Sequence, residues 1–183
     1  RDCKASQFPH ANGTQGVGGM AISPEGRYLA VAHVLSRYQV PTTQLDRGWM
    51  NTNAVTVIDT DEPDKPHPVL LDDPDAGAAN PWGVSFSGDG GKLFVTHAGT
   101  HELSVIDFPA LLERMKREGR GNEPVSERLG FLHGLRTRIA LPLNGPRSVA
   151  PEGKNVLVAG YFSDSLAEVP LKGRVQSRAL PLL

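Results

Sequence analysis

Three stretches of the chain carry the same order of small, apolar and polar positions. The first reads Gly-Gly-Met-Ala-Ile-Ser-Pro-Glu-Gly-Arg-Tyr-Leu-Ala-Val-Ala-His from Gly18 to His33 and resumes as Asn-Ala-Val-Thr-Val-Ile-Asp from Asn53 to Asp59. The second runs without interruption, Pro-Trp-Gly-Val-Ser-Phe-Ser-Gly-Asp-Gly-Gly-Lys-Leu-Phe-Val-Thr-His from Pro81 to His97, then Glu-Leu-Ser-Val-Ile-Asp to Asp107. The third is more degenerate, Gly-Pro-Arg-Ser-Val-Ala-Pro-Glu-Gly-Lys-Asn-Val-Leu-Val-Ala-Gly from Gly145 to Gly160, then Ser-Leu-Ala-Glu-Val-Pro to Pro170. A repeat at fixed spacing is the signature of an architecture built by stacking one supersecondary unit.

Within each copy, short β-prone runs flank a glycine, taken as Gly26, Gly91 and Gly153, that supplies a positive φ at low cost. The first run (residues 20–23, 83–87 and 147–150) is built from small residues, as expected where strands crowd a central axis. The second (28–32, 93–96 and 156–159) is the most apolar and is expected to be buried on both faces. A third (54–59, 103–107 and 166–169) alternates, and a fourth comes from 68–71, 138–143 and 175–182. Four antiparallel strands per copy predict an all-β fold, a β-propeller of three four-stranded blades. The blades occupy residues 18–71, 82–143 and 145–183, after an N-terminal extension or closing strand over 1–17. Closed propellers need about four to eight blades, so three leave apolar faces and strand edges to be covered by the remainder of the same propeller or by another copy of the chain.

The matching points His33, His97 and Gly160 lie 64 and 63 residues apart, against about 40–45 for a compact blade. Insertions explain the excess. Residues 34–52 form a long link between the second and third strands of the first blade, holding Tyr38, Trp49 and Met50 as candidate ligand- or partner-binding residues. Residues 109–136 form the other, opening with Pro109-Ala-Leu-Leu-Glu-Arg-Met-Lys-Arg-Glu-Gly119, a short helix with apolar positions 111, 112 and 115. Tyr161 and Phe162 are further aromatic candidates for contact with a ligand or partner. His33, His97 and His101, with Asp164 matching His101 in the third copy, are candidate metal ligands, since neutral imidazole and carboxylate together suit zinc, copper or iron. The competing structural role is a His that satisfies its own turn. Asp72, Asp73 and Asp75 read as a solvated acidic link.

Composition narrows the function classes. Nineteen basic and twenty acidic side chains give a net charge of −1, which offers no general attraction to nucleic acid. The lone Cys3 leaves no intrachain disulfide and no Cys-x-x-Cys pair for zinc or haem attachment. No run of about eighteen apolar residues marks a transmembrane segment. No phosphate-binding glycine loop, nucleophile elbow or His-Glu-x-x-His is found, so no catalytic residue is assigned.

Phe94-Val95-Thr96-His97 followed by Leu103-Ser104-Val105-Ile106-Asp107 resembles the YVTN propeller repeat with His in place of its terminal Asn. That resemblance implies a larger, seven-bladed ring, with ligand sites on the face where the links between second and third strands open. The long insertion and the Tyr161-Phe-Ser-Asp-Ser165 run are similar to propellers joined to di-haem cytochrome c peroxidase-like domains. The resemblance therefore implies a non-catalytic binding or scaffold module of an exported bacterial-type protein, periplasmic or at the cell surface. It would support electron transfer by a c-type cytochrome domain or partner, with haem c outside this segment. Two alternatives stand beside it: a lactonase-like hydrolase using His33, His97 or His101, and a glycan-binding adhesion module.

Overall fold

The computed structural model describes residues 13–36, 50–118 and 125–172, and the backbone of 178–181. The chain forms three antiparallel sheets in sequence order, each a meander of neighbouring strands. The first holds β1 (Thr14–Gln15), β2 (Met20–Ile22), β3 (Tyr28–Ser36), β4 (Asn51–Asp59) and β5 (His67–Leu70). The second holds β6 (Pro81–Phe86), β7 (Lys92–His97), β8 (Glu102–Asp107) and β9 (Arg136–Ala140), with α1 (Phe108–Glu118) between the last two. The third holds β10 (Pro146–Glu152), β11 (Asn155–Gly160), β12 (Ser165–Pro170) and β13 (Arg178–Pro181). The four expected strands of every copy are present, displaced by one to three residues at most boundaries.

Two apolar layers hold the sheets together. Ala30, Ala32, Val55 and Val57 of the first sheet meet Val84, Phe86, Leu93, Val95 and Ile106 of the second. Phe94 and Leu103, on the opposite face of the second sheet, meet Val156, Val158, Ala167 and Val169 of the third. Strand β7 thus alternates between two cores and is buried along nearly its whole length, whereas β11 and β12 bury only every second residue. The difference follows from neighbours: the middle sheet has one on each side. Each fully buried aliphatic side chain in these layers contributes about 1.5–3 kcal/mol.

Three features depart from expectation. In the second copy the left-handed turn residue is Gly90 (φ 69°), not Gly91. Ser87 sets this register, its carbonyl accepting the Gly90 N–H at 2.9 Å and its hydroxyl accepting the Lys92 N–H at 2.8 Å. Residues 34–52 are not all loop. Strand β3 continues through Val34–Leu35 to Ser36, paired with Thr52 and Asn51 of β4, and Thr14–Gln15 adds a third strand to this ribbon. His33 therefore sits inside β3, not at its end. The acidic link is only partly solvated: Asp75 is exposed and Asp73 half-buried. Asp72 is buried and accepts N–H bonds from Asn53 at 2.6 Å and Ala78 at 2.7 Å.

Helix α1 begins where Asp107 accepts the Ala110 N–H at 3.2 Å, an N-cap of the usual kind. Its inner face buries Phe108, Leu111 and Met115, with Phe108 edge-on to Phe86 at 4.9 Å and to Tyr28 at 5.5 Å. The apolar side of the helix is thus packed on the first two sheets. Because Lys92 pairs with Asp107 at one end of the β7–β8 hairpin and His97 with Glu102 at the other, the helix lies at the end remote from the histidines.

The innermost strands approach so closely that only glycine fits between them. The Gly19 N–H donates to the Trp82 carbonyl at 2.5 Å across sheets one and two. A Cβ on Gly83 would stand 2.8 Å from the Arg147 carbonyl and 3.0 Å from Thr96 Oγ1. Gly83→Ala is expected to cost about 1–3 kcal/mol, read as a lowered Tm of the full-length protein. Gly88→Ala is the control, since nothing lies within 4 Å of a Cβ there, and it should stay within about 0.5 kcal/mol.

Candidate functional site

The chemistry-bearing residues gather at the end of the sheets where β7 turns into β8 and β11 into β12, against the links 78–81 and 141–145. Both buried histidines follow one plan. His97 Nε2 lies 2.7 Å from Ser104 Oγ, and Nδ1 lies 3.1 Å from the Ala78 carbonyl. His33 Nε2 lies 2.7 Å from Thr56 Oγ1, and Nδ1 lies 3.2 Å from the Val34 carbonyl. A carbonyl only accepts, so each Nδ1 carries the ring proton and each Nε2 accepts from the hydroxyl. Thr56 and Ser104 sit three residues before Asp59 and Asp107, the same place in successive copies. In the third copy Gly160 replaces the His, and the matching hydroxyl position is Ala167. Imidazole and hydroxyl are present together or absent together.

Burial, reinforced by the nearby Arg136 and Arg138 cations, pushes the His97 imidazole down to about 3. Those arginines are held by carboxylates. Arg136 pairs with Asp73 at 2.5 Å, and Arg138 bridges Asp73 at 3.2 Å and Glu102. The His97 ring is consequently neutral through the physiological range.

His101 adopts a left-handed conformation, φ 56°, and its Nδ1 accepts the Gly145 N–H at 3.1 Å, tying the turn of one sheet to the entry of the next. Asp164 occupies the matching left-handed point of the third copy, φ 43°, and is exposed. Among the described residues no three of His, Cys, Asp and Glu gather into a set able to hold a metal ion. The expected grouping of His33, His97, His101 and Asp164 is therefore not brought together, because the first two imidazoles point into separate interior hydrogen bonds and His101 is turned to a backbone amide. Met50 is exposed at the start of the described β4 segment, whereas Tyr38 and Trp49 lie outside the described residues.

Tyr161 and Phe162 are exposed, and they converge on two residues that the sequence did not single out. The Arg147 guanidinium rests over the rings of Trp82, Tyr161 and Phe162, at 4.4, 4.1 and 5.2 Å from their centres. The two neighbouring rings meet edge-on at 4.9 Å. The available signal was a Trp and an Arg set beside Gly83 and Ser148 on the inner strands.

No protein-family model matches the chain. The hydrazine synthase beta subunit of Kuenenia stuttgartiensis is 28% identical over 154 residues, which cover 82% of this chain and 40% of that protein. The solved Kuenenia stuttgartiensis hydrazine synthase superposes with a TM-score of 0.77 at 26% identity, over 90% of this chain and 47% of that one. The chain is three blades of a β-propeller. A nidogen/laminin complex shares the fold alone, with a TM-score of 0.54 at 16% identity over 87% of this chain and 45% of that one. The propeller segment spans under half the length of the hydrazine synthase chains it matches.

The state of His97 sets a pH dependence for the propeller. Once unfolded, the imidazole binds a proton below its ordinary 6.5, while the folded ring takes none until about 3. Stability present above pH 6.5 is thus lost as the pH falls. At pH 5 the loss from this group is about 2 kcal/mol. Denaturant unfolding of the full-length protein at pH 7.5 and pH 5 should show His97→Gln losing about 2 kcal/mol less than wild type over the same interval; an equal loss in both would contradict a buried neutral imidazole.

Proposed function

We propose that the chain is part of a non-catalytic propeller subunit within an exported multi-subunit enzyme, where it holds and orients a partner chain. The carrying observation is the match to hydrazine synthase, 28% identity over 82% of the chain to the beta subunit together with the 0.77 superposition. The YVTN-like Phe94-Val-Thr-His97 segment is consistent with a propeller of the exported, periplasmic or cell-surface kind. In this reading the blades pack against the remainder of their own ring and present the histidine-bearing end to the partner.

In this reading haem c lies outside this segment, on the remainder of the polypeptide or on a partner. Covalent attachment uses a Cys-x-x-Cys-His motif, and this sequence holds the single Cys3. A lactonase-like site gains no support from the geometry. His33 and His97 are fully buried, and His101 uses Nδ1 on Gly145.

The full-length native polypeptide, purified under mild conditions from its source and run by size exclusion with absorbance detection, is expected to elute in a hetero-oligomer that carries a c-type haem band. Elution of the full-length chain alone, without a second chain, would overturn the subunit reading. Elution as a haem-free hetero-oligomer would overturn the electron-transfer part.

A further inference from the structure

Arg147 differs from every other arginine side chain among the described residues. Arg27 has Asp59, Arg117 and Arg128 share Glu118, and Arg114 has two carbonyls. Arg138 shares with Arg147 a buried Nε without a partner, but its other nitrogens reach Asp73, Glu102 and two carbonyls; Arg147 has aromatic faces only. Cation–π contact offsets part of the desolvation of a guanidinium, but a buried N–H without an acceptor remains costly.

The aromatic pair is an addition that the fold does not require. Ala98 and Gly99 hold the same turn in the second blade, their N–H groups donating to Asn80 and Ala79 just as those of Tyr161 and Phe162 donate to Gly145 and Asn144, at 2.9 and 3.2 Å. A residue pair that needs only backbone contacts in one blade carries two large rings in the next. Both rings are more than half exposed, 61% and 66%, and Trp82 is 41% exposed. They are also held in place: the Phe162 ring lies within 2.5 Å of where a Cβ on Gly145 would be, and Gly145 is fixed by His101.

We propose that this arginine–aromatic platform docks an acidic segment of a partner polypeptide, an Asp or Glu carboxylate reaching Arg147 while adjacent apolar side chains pack on the three rings. Charge complementarity selects the occupant, because the one guanidinium among the described residues without an acceptor calls for an anion. The projecting rings favour a broad macromolecular contact over a small ligand, which is normally enclosed in a concavity. Exposed Trp, Tyr and Arg together are also the side chains on which binding energy at protein interfaces concentrates. This docking rests on the subunit reading above.

The test uses the full-length assembly. With p-benzoylphenylalanine at position 162, irradiation is expected to cross-link a partner peptide that contains Asp or Glu beside the attachment point. Arg147→Gln is expected to weaken the partner's Kd about tenfold and to flatten its salt dependence. Arg147→Lys is expected to keep the salt dependence with intermediate affinity, and Phe162→Ala to weaken binding without changing that dependence. Thermal melting confirms that each variant is folded. A cross-link to lipid, glycan or a segment without acidic residues overturns the proposal, as does an unchanged Kd for folded Arg147→Gln. If the assembly forms with both positions silent, the docking site alone falls; if no partner is recovered, the subunit reading falls with it.

Discussion

The close approach of inner-strand backbones is the constraint on which the rest of this arrangement depends. With Gly19 bonded to the Trp82 carbonyl and no room for a Cβ between Gly83 and the Arg147 carbonyl, the three sheets are pinned together at their innermost strands. They fan outward from there. That fan creates the two wedge-shaped layers that larger side chains fill, Phe86 and Phe108 in one and Phe94 in the other. A side chain at either glycine would open the wedge and loosen every contact farther out.

A second constraint acts at the histidine-bearing end. Polar side chains buried there take protein partners in most cases, with Thr100 Oγ1, Arg138 Nε and Arg147 Nε the exceptions among the described residues. The His–hydroxyl pairs do so in the first two blades, with Asp72 receiving the amides of the link between them. In the third blade, Ser163 and the 143–145 link occupy the space where Gly160 replaces the His; a Cβ on Gly160 would meet Ser163 Oγ at 2.4 Å. A small residue at that point is therefore matched to the turn above it, and the turn is the one that carries Tyr161 and Phe162.

Strand order and the inserted helix were legible because alternation and turn chemistry are local. The three copies agree on them even where identity is low. Gly90 and Gly91 could not be separated by pattern alone, since either glycine tolerates positive φ and the choice rests on the Ser87 hydroxyl. The extension of β3 was hidden because Val34 and Leu35 follow the expected end point without a break in hydropathy. The roles of His33 and His97 were half visible. A hydroxyl recurs at Thr56 and Ser104 and disappears at Ala167, but the link between the two positions requires the strand register. The Arg147 cluster was out of reach, since it joins residues 82, 147 and 161–162 from three separate strand and turn segments.

Repetition sharpens what counts as a functional departure. Where copies agree, as in the serine-closed turns at Ser23 and Ser87 or the carboxylates Asp59 and Asp107 paired with Arg27 and Lys92, the residue serves the blade and its conservation within the chain has a structural cause. Where one copy carries bulk and charge that its neighbour manages without, the fold supplies no reason. Trp82 and Arg147 sit on the inner strands beside the backbone contacts at Gly19 and Gly83, and Tyr161 and Phe162 replace Ala98 and Gly99. The Arg147 Nε is buried without an acceptor among the described residues, a cost that the sheets do not recover internally. The docking proposed above would supply the compensating interaction from outside the three blades.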